Sequence, residues 1–290
     1  MPKPFSLFDL APDKVVADRF RIVKPHRRSG LATSFEALDQ HREGDAARCE
    51  LMVFPGGLFE GPSQAEEFRD GWNEWMTIDS SNVQRVREVL DWGHSNMVLV
   101  CDFPPGRSLR AWLSAHGHME SARALELGRQ LLDGLTEIHE RGLVHGDIKP
   151  QTIFLQDEPL RGVLVDGGIT TGLWNAKHLG EHTTLIGTPY YAPVEQFGGD
   201  SPNVQSDVYN VATVLFEVLC GVLPWPGSTI LEVFQAKLNR EPPSMATRAP
   251  DIEVDPAVSQ AVLPGLAADR KARYRTAAAF RAALEAATVA

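Results

Sequence analysis

The chain has 290 residues, of which 43% are hydrophobic and 23% charged, so it can bury a substantial core without disulfides. Its formal net charge of −10 argues against a nucleic-acid-binding protein, because binding to phosphates requires a basic surface. The three cysteines form no C-x-x-C pair, which argues against a zinc site or a disulfide framework and predicts a reducing, cytoplasmic location.

No apolar run is long enough to cross a membrane. The most apolar stretch, residues 211–225, contains Glu217 and is shorter than the roughly 20 residues that a spanning helix needs. The first residues also lack the charged and apolar regions of a secretory signal. We therefore expect neither a membrane span nor a signal peptide in this chain.

The first third of the chain is predicted to be mainly β-structure. Residues 1–18 contain three prolines and are expected to form an extension that packs on the domain or stays loose. Strands are predicted at 19–23, 34–38, 48–54, 83–89 and 97–103, from runs of apolar residues between turn signals. Between them, residues 63–76 are predicted to form one helix with Ser63 as its N-cap.

The sequence becomes mainly helical after Pro104-Pro105-Gly106, the clearest break in the chain and a natural boundary between lobes. Helices are predicted at 108–116, 121–141, 206–219 and 276–287, with short buried strands at 153–155 and 163–165. Ser108 is predicted to cap the first of these helices, and the helix at 206–219 is apolar nearly all round, which predicts that it is buried. The predicted organisation is an extension over 1–18, a sheet-rich lobe over 19–103 and a helical lobe over 104–290.

Several motifs in the second lobe resemble those of serine/threonine protein kinases. Residues 145–150 (HGDIKP) resemble the catalytic loop H-R-D-L-K-P, and residues 165–168 (VDGG) resemble the D-F-G site. The other matches are the bacterial-type stretch at 187–196 (GTPYYAPVEQ), the start and end of the central helix at 206–209 and 221–225, and the closing arginine motif at 269–274. The motifs follow the order that they have in this family.

The resemblance covers roughly residues 19–287 and implies an α+β, bilobal protein-kinase-like fold. Such a fold has a small antiparallel β-sheet N-lobe and a mainly α-helical C-lobe. By resemblance, Glu195 should form a buried salt bridge with Arg273, and Asp207 should hold the backbone of the catalytic loop. These are architectural roles, and they do not imply catalysis.

The N-lobe positions that bind ATP in the family are changed. By register, Met52 replaces the phosphate-binding lysine, and Glu50 replaces the small residue that lies against adenine. A carboxylate there is costly to desolvate and repels phosphate. Pro104 falls where a backbone N–H should bind adenine, and proline has no N–H. Arg48, the only cation in this strand, is not expected to replace the lysine.

The loop and helix that assist phosphate binding are changed as well. Arg27, Ser29 and Ala32 fall at the three glycine positions of the phosphate-binding loop, with Gly30 retained beside them, and Arg27 is expected on a solvated turn. Gly71 falls at the position of the glutamate that pairs with the lysine. The nearby Glu67 and Glu74 are expected to be surface charges.

In the C-lobe the catalytic positions are partly retained. Asp147, the base that orients a substrate hydroxyl, and Lys149 remain. The metal ligand Asp166 also remains, but Thr152 replaces the metal-binding asparagine, and Phe154 falls where a leucine usually lies under adenine. In addition, Gly146 replaces the catalytic-loop arginine, so an activation-loop phosphate is not expected to dock there. Gly167 replaces the D-F-G phenylalanine, which removes a packing element of the family's active site.

Together these changes favour a pseudokinase: a kinase-fold signalling protein with a degraded ATP site and no cofactor, which acts as a scaffold or regulator through protein partners. Trp72, Trp75 and Trp92 are expected in the core of the small lobe, with a partner-binding surface as the alternative. The alternative function is a divergent active kinase that uses ATP and Mg²⁺ to phosphorylate protein serine or threonine. A third possibility is a shared fold with other chemistry or another ligand.

Overall fold

The computed structural model describes residues 10–29, 32–93, 96–177 and 189–287, with only the backbone described at positions 28 and 29. The first nine residues of the predicted extension, Gly30, and Gly187 and Thr188 of the motif at 187–196 lie outside the described residues. The chain divides into two compact units. Unit 1 comprises Met1–Asp79 and Gln84–Pro104, and unit 2 comprises Ser80–Val83 and Pro105–Ala290.

Unit 1 contains an antiparallel sheet of six strands in the order β1-β2-β3-β4-β6-β5. The strands are β1 (Val15–Val16), β2 (Phe20–Ser29), β3 (Ala32–Asp39), β4 (Arg48–Phe54), β5 (Val86–Trp92) and β6 (Asn96–Asp102). The bounds predicted for β4 are confirmed. β5 begins later than predicted because Val83 forms a parallel bridge with Leu164 inside unit 2.

The helical part of unit 1 differs from the prediction. Two short helices, α1 (Pro62–Asp70) and α2 (Trp72–Trp75), replace the single predicted helix and meet at Gly71. The N-cap of α1 is Gly61, not Ser63, because Pro62 occupies the first helical position, where a missing N–H costs nothing.

The two faces of the unit 1 sheet differ in character, as strand alternation requires. One face forms the apolar core, which includes Phe35, Leu51 and Val100 and also takes in Leu10 from the predicted extension. The opposite face carries Glu36, Glu50 and Met52, whose partners across the strands lie on the same face. This second face, called the polar face below, holds the positions where the sequence predicted nucleotide-binding changes.

Unit 2 contains a small three-stranded antiparallel sheet and a group of helices. The strands are β7 (Arg107–Ser108), β8 (Ile153–Gln156) and β9 (Arg161–Leu164). The helices are α3 (Leu109–His116), α4 (Ser121–Glu140), α5 (Ile169–Ala176), α6 (Val194–Phe197), α7 (Val204–Cys220), α8 (Ile230–Asn239), α9 (Met245–Arg248), α10 (Pro256–Val262) and α11 (Ala277–Ala286). The capping role predicted for Ser108 is confirmed, since its hydroxyl accepts a hydrogen bond from the Ala111 N–H.

Helix α7 is the centre of unit 2. From Ser206 onward each of its residues is buried, which confirms the prediction of a helix that is enclosed all round. It begins earlier than predicted because Asn203 caps it in a capping box with Ser206. Helices α4, α9, α10 and α11 pack around it. Within the described residues, no helix combines the length and the apolar character needed to cross a membrane.

Candidate functional site

Glu50 lies on the polar face of unit 1 and is fully buried. Its Oε1 is 2.8 Å from Arg27 Nε, and its Oε2 accepts hydrogen bonds from Arg27 Nη2 at 3.0 Å and Gln84 Nε2 at 2.7 Å. The expectation that Arg27 lies on a solvated turn is wrong, because a buried carboxylate needs a cationic or hydrogen-bonding partner. Arg27, which the motifs placed at a glycine position of the loop, and Gln84, which they did not single out, are thus the partners of this carboxylate.

Met52 is also buried on this face, next to Ser34 and Leu99 on the neighbouring strands. Its thioether supplies no charge where the family has an ammonium group. Arg48 does not replace that charge, since its side chain is half exposed and lies 2.8 Å from Glu36 and 3.9 Å above the Phe103 ring. Burial alone would raise the pKa of Glu36, but hydrogen bonding and charge from Arg48, with Lys24, leave that pKa below its ordinary value.

The helix that should supply a glutamate in unit 1 supplies none at the expected position. Gly71 separates α1 from α2, and Glu67 and Glu74 on either side are exposed, as expected for surface charges. Trp72 and Trp75 are buried, which agrees with a place in the core and not in a binding surface. Trp92 is partly buried against the core cluster. Pro104 lies two residues beyond the end of β6.

In unit 2, the retained catalytic-loop residues lie together. Lys149 Nζ is 2.6 Å from Asp147 Oδ2. The hydroxyl of Thr152 donates to the Asp147 carbonyl at 2.8 Å and accepts from the Lys149 N–H at 3.1 Å. Thr152 therefore ties the loop to itself, and its side-chain oxygen is already engaged at the place where the family has a metal-binding amide.

Asp166 is brought next to the catalytic loop by the backbone. The Val165 N–H donates to the Thr152 carbonyl at 2.9 Å, and this bond brings the next residue, Asp166, close to Thr152. Phe154 packs against Val163 and Val165 in a small apolar cluster. Among the described side chains, no group of three His, Cys, Asp or Glu is placed to hold a metal ion.

Asp207 holds the backbone of the catalytic loop, as predicted. Its carboxylate accepts hydrogen bonds from the N–H groups of His145 and Gly146, both at 2.8 Å, and lies 3.0 Å from His139 Nε2. Burial lowers the pKa of His145, whose Nε2 lies 3.0 Å from the Val165 carbonyl. Because a carbonyl only accepts, the neutral imidazole carries its proton on Nε2.

Helix α5 packs directly on this loop and was not predicted. Gly146 has a φ of +85°, and a Cβ added there would lie 2.9 Å from Thr171 Cγ2 in α5. The Thr171 hydroxyl donates to the Val144 carbonyl at 3.2 Å. Apolar residues at Ile169, Leu173 and Trp174 are buried and were the available sequence signal for this helix.

The predicted salt bridge between Glu195 and Arg273 is confirmed. Arg273 Nη1 lies 2.7 Å from Glu195 Oε1, and the arginine side chain is fully buried. Arg270 Nε adds a second contact to the same oxygen at 3.4 Å. Loss of one partner from such a buried pair typically costs about 3–5 kcal/mol, so this pair stabilises the architecture of unit 2.

Comparisons with known proteins agree with these motifs. Residues 64–276 match the family described as the protein kinase domain. The serine/threonine-protein kinase PknB of Mycobacterium leprae is 31% identical over 93% of this chain and 43% of its own length. The probable serine/threonine-protein kinase PknB of Lactococcus lactis is 26% identical over 90% of this chain and 40% of its own length. The chain thus spans about two fifths of these relatives.

Solved structures are similar in fold. The kinase domain of Mycobacterium tuberculosis PknI superposes with a TM-score of 0.72 at 16% identity, over 96% of this chain and 99% of that one. Rad53 residues 1–466, solved in complex with AMP-PNP, gives a TM-score of 0.75 at 19% identity, over 92% of this chain and 66% of that one. At these identities the similarity establishes the two-lobed fold, with its antiparallel N-lobe sheet and helical C-lobe, and nothing finer.

Proposed function

Since the chain belongs to the bacterial-type serine/threonine protein kinase family, we propose that it is a pseudokinase that acts as a scaffold or regulator through contacts with protein partners. We also propose a cytoplasmic location, because Cys49, Cys101 and Cys220 are all buried and none of them forms a disulfide. The net charge of −10 favours protein partners over nucleic acid.

The ion pair between the partly buried Arg27 and the buried Glu50 is the observation on which the proposal rests. Phosphoryl transfer depends on positive groups that neutralise the phosphates of ATP. On β4 the chain instead has a neutral Met52 and a buried carboxylate, and the partly buried cation beside that carboxylate, Arg27, is already paired with it. A phosphate brought to this face would meet the repulsion of Glu50 without a compensating ammonium group.

The unit 2 residues do not fit a magnesium–nucleotide complex well either. Mg²⁺ prefers several oxygen ligands in octahedral geometry, often including carboxylates. Asp166 is the one carboxylate retained at the family's metal-ligand positions, and the Thr152 hydroxyl is bonded within the loop. Pro104 adds a chemical argument, since it cannot donate the backbone hydrogen bond by which the family binds adenine.

The retained interactions support a scaffold. Asp207 orders the catalytic loop, and the pair of Glu195 and Arg273 ties α6 to the end of the unit. Neither interaction performs phosphoryl transfer, and both stabilise the fold. A chain that keeps its architecture while its phosphate-binding residues change can present a folded surface to a partner.

One observation favours a second candidate function, a divergent active serine/threonine kinase. Asp147 and Lys149 are in contact at 2.6 Å, which is a usable arrangement for orienting a substrate hydroxyl. This function would require ATP, Mg²⁺ and a cation that replaces the lysine. The relatives carry kinase names, but this chain corresponds to about two fifths of their length.

Thermal unfolding of the purified protein with and without Mg²⁺ and millimolar ATP tests the proposal. A ligand at about 100 times its Kd stabilises a protein by about 2.7 kcal/mol, or a few degrees in Tm at this size. We expect no shift with ATP and Mg²⁺ beyond that produced by Mg²⁺ alone. A Mg²⁺-dependent shift that is lost in Asp166→Asn would contradict the absence of a nucleotide site.

A phosphotransfer assay separates the two candidate functions. The wild-type protein and Asp147→Asn are incubated with labelled ATP, Mg²⁺ and a general protein substrate. We expect no label above background in either protein, because the phosphates are not neutralised. Transfer by the wild type that disappears in Asp147→Asn would establish the active kinase.

A further inference from the structure

A short segment of unit 2, Pro189–Ala192, is held by a buried lysine on helix α8. Lys237 is 1% exposed. Its Nζ donates hydrogen bonds to three backbone carbonyls of the segment, at 3.2 Å to Pro189, 2.8 Å to Tyr190 and 2.7 Å to Ala192. An ammonium group has three donors, so these carbonyls use all of them.

The surroundings of Lys237 contain no carboxylate in contact with the ammonium among the described residues. The rings of Phe197 and Tyr209 lie 5.7 Å and 5.4 Å from Nζ. The negative charge of Glu195 raises the pKa of Lys237, but that carboxylate is paired with Arg273. Burial accordingly lowers the pKa of Lys237 to about 7. A buried lysine is costly unless its hydrogen bonds compensate, and here the compensation comes from the segment.

We propose that Lys237 is the positioning residue of the Pro189–Ala192 segment, which it fixes to α8 through the segment's own backbone. The loop arginine that could receive an activation-segment phosphate is replaced by Gly146. The order of Pro189–Ala192 thus rests on packing and carbonyl contacts that need no phosphate. This inference goes beyond the pseudokinase proposal and holds for either candidate function.

Tyr191 has separate attachments, which makes the effect of Lys237 distinguishable. Asn210 Nδ2 donates to the Tyr191 carbonyl at 2.8 Å, and the Tyr191 hydroxyl donates to Glu217 Oε2 at 2.5 Å and accepts from Arg110 Nη2 at 2.6 Å. These bonds hold the centre of the segment to α7 and α3. Lys237 holds the carbonyls on both sides of that centre, so its loss should loosen the backbone at Tyr190 and Ala192.

Limited proteolysis by chymotrypsin tests this role in the full chain. Lys237→Met approximates the length of the side chain but removes its hydrogen-bond donors. The three carbonyls then have no donor unless the segment opens and water reaches them. We expect cleavage after Tyr190 or Tyr191, identified by fragment mass, to become at least about tenfold faster, since cleavage follows the population of the locally open form. The lost hydrogen bonds are offset in part because the variant no longer buries an ammonium charge, so Tm should fall only modestly.

Three comparisons make the result decisive. Arg240→Met removes an exposed positive charge just beyond α8 and should leave cleavage at the segment unchanged. Cleavage after Phe216 and Phe280, which are buried in helices of unit 2, reports on global unfolding. A rise confined to the segment supports the proposal. An equal rise at all sites, or no rise, overturns it. If Lys237→Met does not fold, Lys237→Gln, which keeps two donors, is measured in the same way.

Discussion

Glu50 is a buried carboxylate whose two oxygens are both occupied. Arg27 contacts both, and Gln84 donates a second hydrogen bond to Oε2. The cation and the amide together compensate the desolvation of the carboxylate, since solvent does not reach the buried side chain. At the scale of single residues, the buried carboxylate on the polar face is therefore compensated by groups of the fold itself.

This pair predicts a large effect of Arg27→Met on stability. The variant leaves Glu50 buried with Gln84 alone, and the free energy of unfolding should fall by about 3–5 kcal/mol. The matched control is Arg48→Met, which removes a half-exposed partner of Glu36 and should cost about 1 kcal/mol or less. Urea denaturation of both variants is the measurement. Equal losses in the two variants would contradict the internal role of Arg27.

At the scale of elements, the contact of α5 with the catalytic loop explains why a glycine stands at position 146. The first turn of α5 places Thr170 and Thr171 next to Gly146, and the Thr171 hydroxyl bonds to Val144. The left-handed backbone at Gly146 already favours glycine, and the helix leaves no room for a Cβ. The family's arginine would therefore require α5 to move.

Gly146→Ala should destabilise unit 2 more than Gly117→Ala does. Both glycines have positive φ values, but a Cβ at Gly117 would meet nothing within 4 Å. The control should cost about 1–2 kcal/mol for the positive φ, and Gly146→Ala about 1–3 kcal/mol more for overpacking. Thr171→Ser removes the methyl group and keeps the hydroxyl. In a double-mutant cycle it should relieve the additional cost, and additivity would refute the contact.

At the scale of the whole molecule, buried titratable groups link stability to pH. Burial lowers the pKa of Lys237 from its ordinary 10.5 to about 7, so between these values the unfolded chain binds more protons than the folded one. The free energy of unfolding then rises with pH across this window. Burial also lowers the pKa of His145, so this group changes the free energy of unfolding only below its ordinary pKa of 6.5. Burial raises the pKa values of Cys49 and Cys220 from 9.0 to about 12, so these groups change the free energy of unfolding only above pH 9.0.

Of the groups named above, Lys237 is thus the one whose titration changes the free energy of unfolding between pH 7 and 9. From about pH 7 to about pH 8.5, the wild-type protein should gain on the order of 1–2 kcal/mol in unfolding free energy relative to Lys237→Met. The groups that face the ammonium, Glu195, Arg273 and Tyr209, are present in both proteins. Chemical denaturation at several pH values provides the comparison. A difference that stays constant with pH would mean that Lys237 keeps its ordinary pKa.

The sequence was sufficient where a pattern is local or belongs to a motif. The bounds of β4, the cap at Ser108, the role of Asp207 and the pair of Glu195 and Arg273 were all predicted. It was insufficient where the structure depends on contacts between distant residues. Arg27 was not matched to Glu50 because they are 23 positions apart, and nothing near Lys237 in sequence indicates the carbonyls that receive its hydrogen bonds.

Helix α7 has a consequence for how the chain is made. Its residues are enclosed on all sides by α4, which precedes it, and by α9, α10 and α11, which follow it. During synthesis the apolar surface of α7, including Val211 and Leu215, leaves the ribosome before α9, α10 and α11 have been made. Until α11 is complete, part of this apolar surface is exposed and can bind chaperones. A product truncated before α10 would therefore aggregate and would not form a smaller domain.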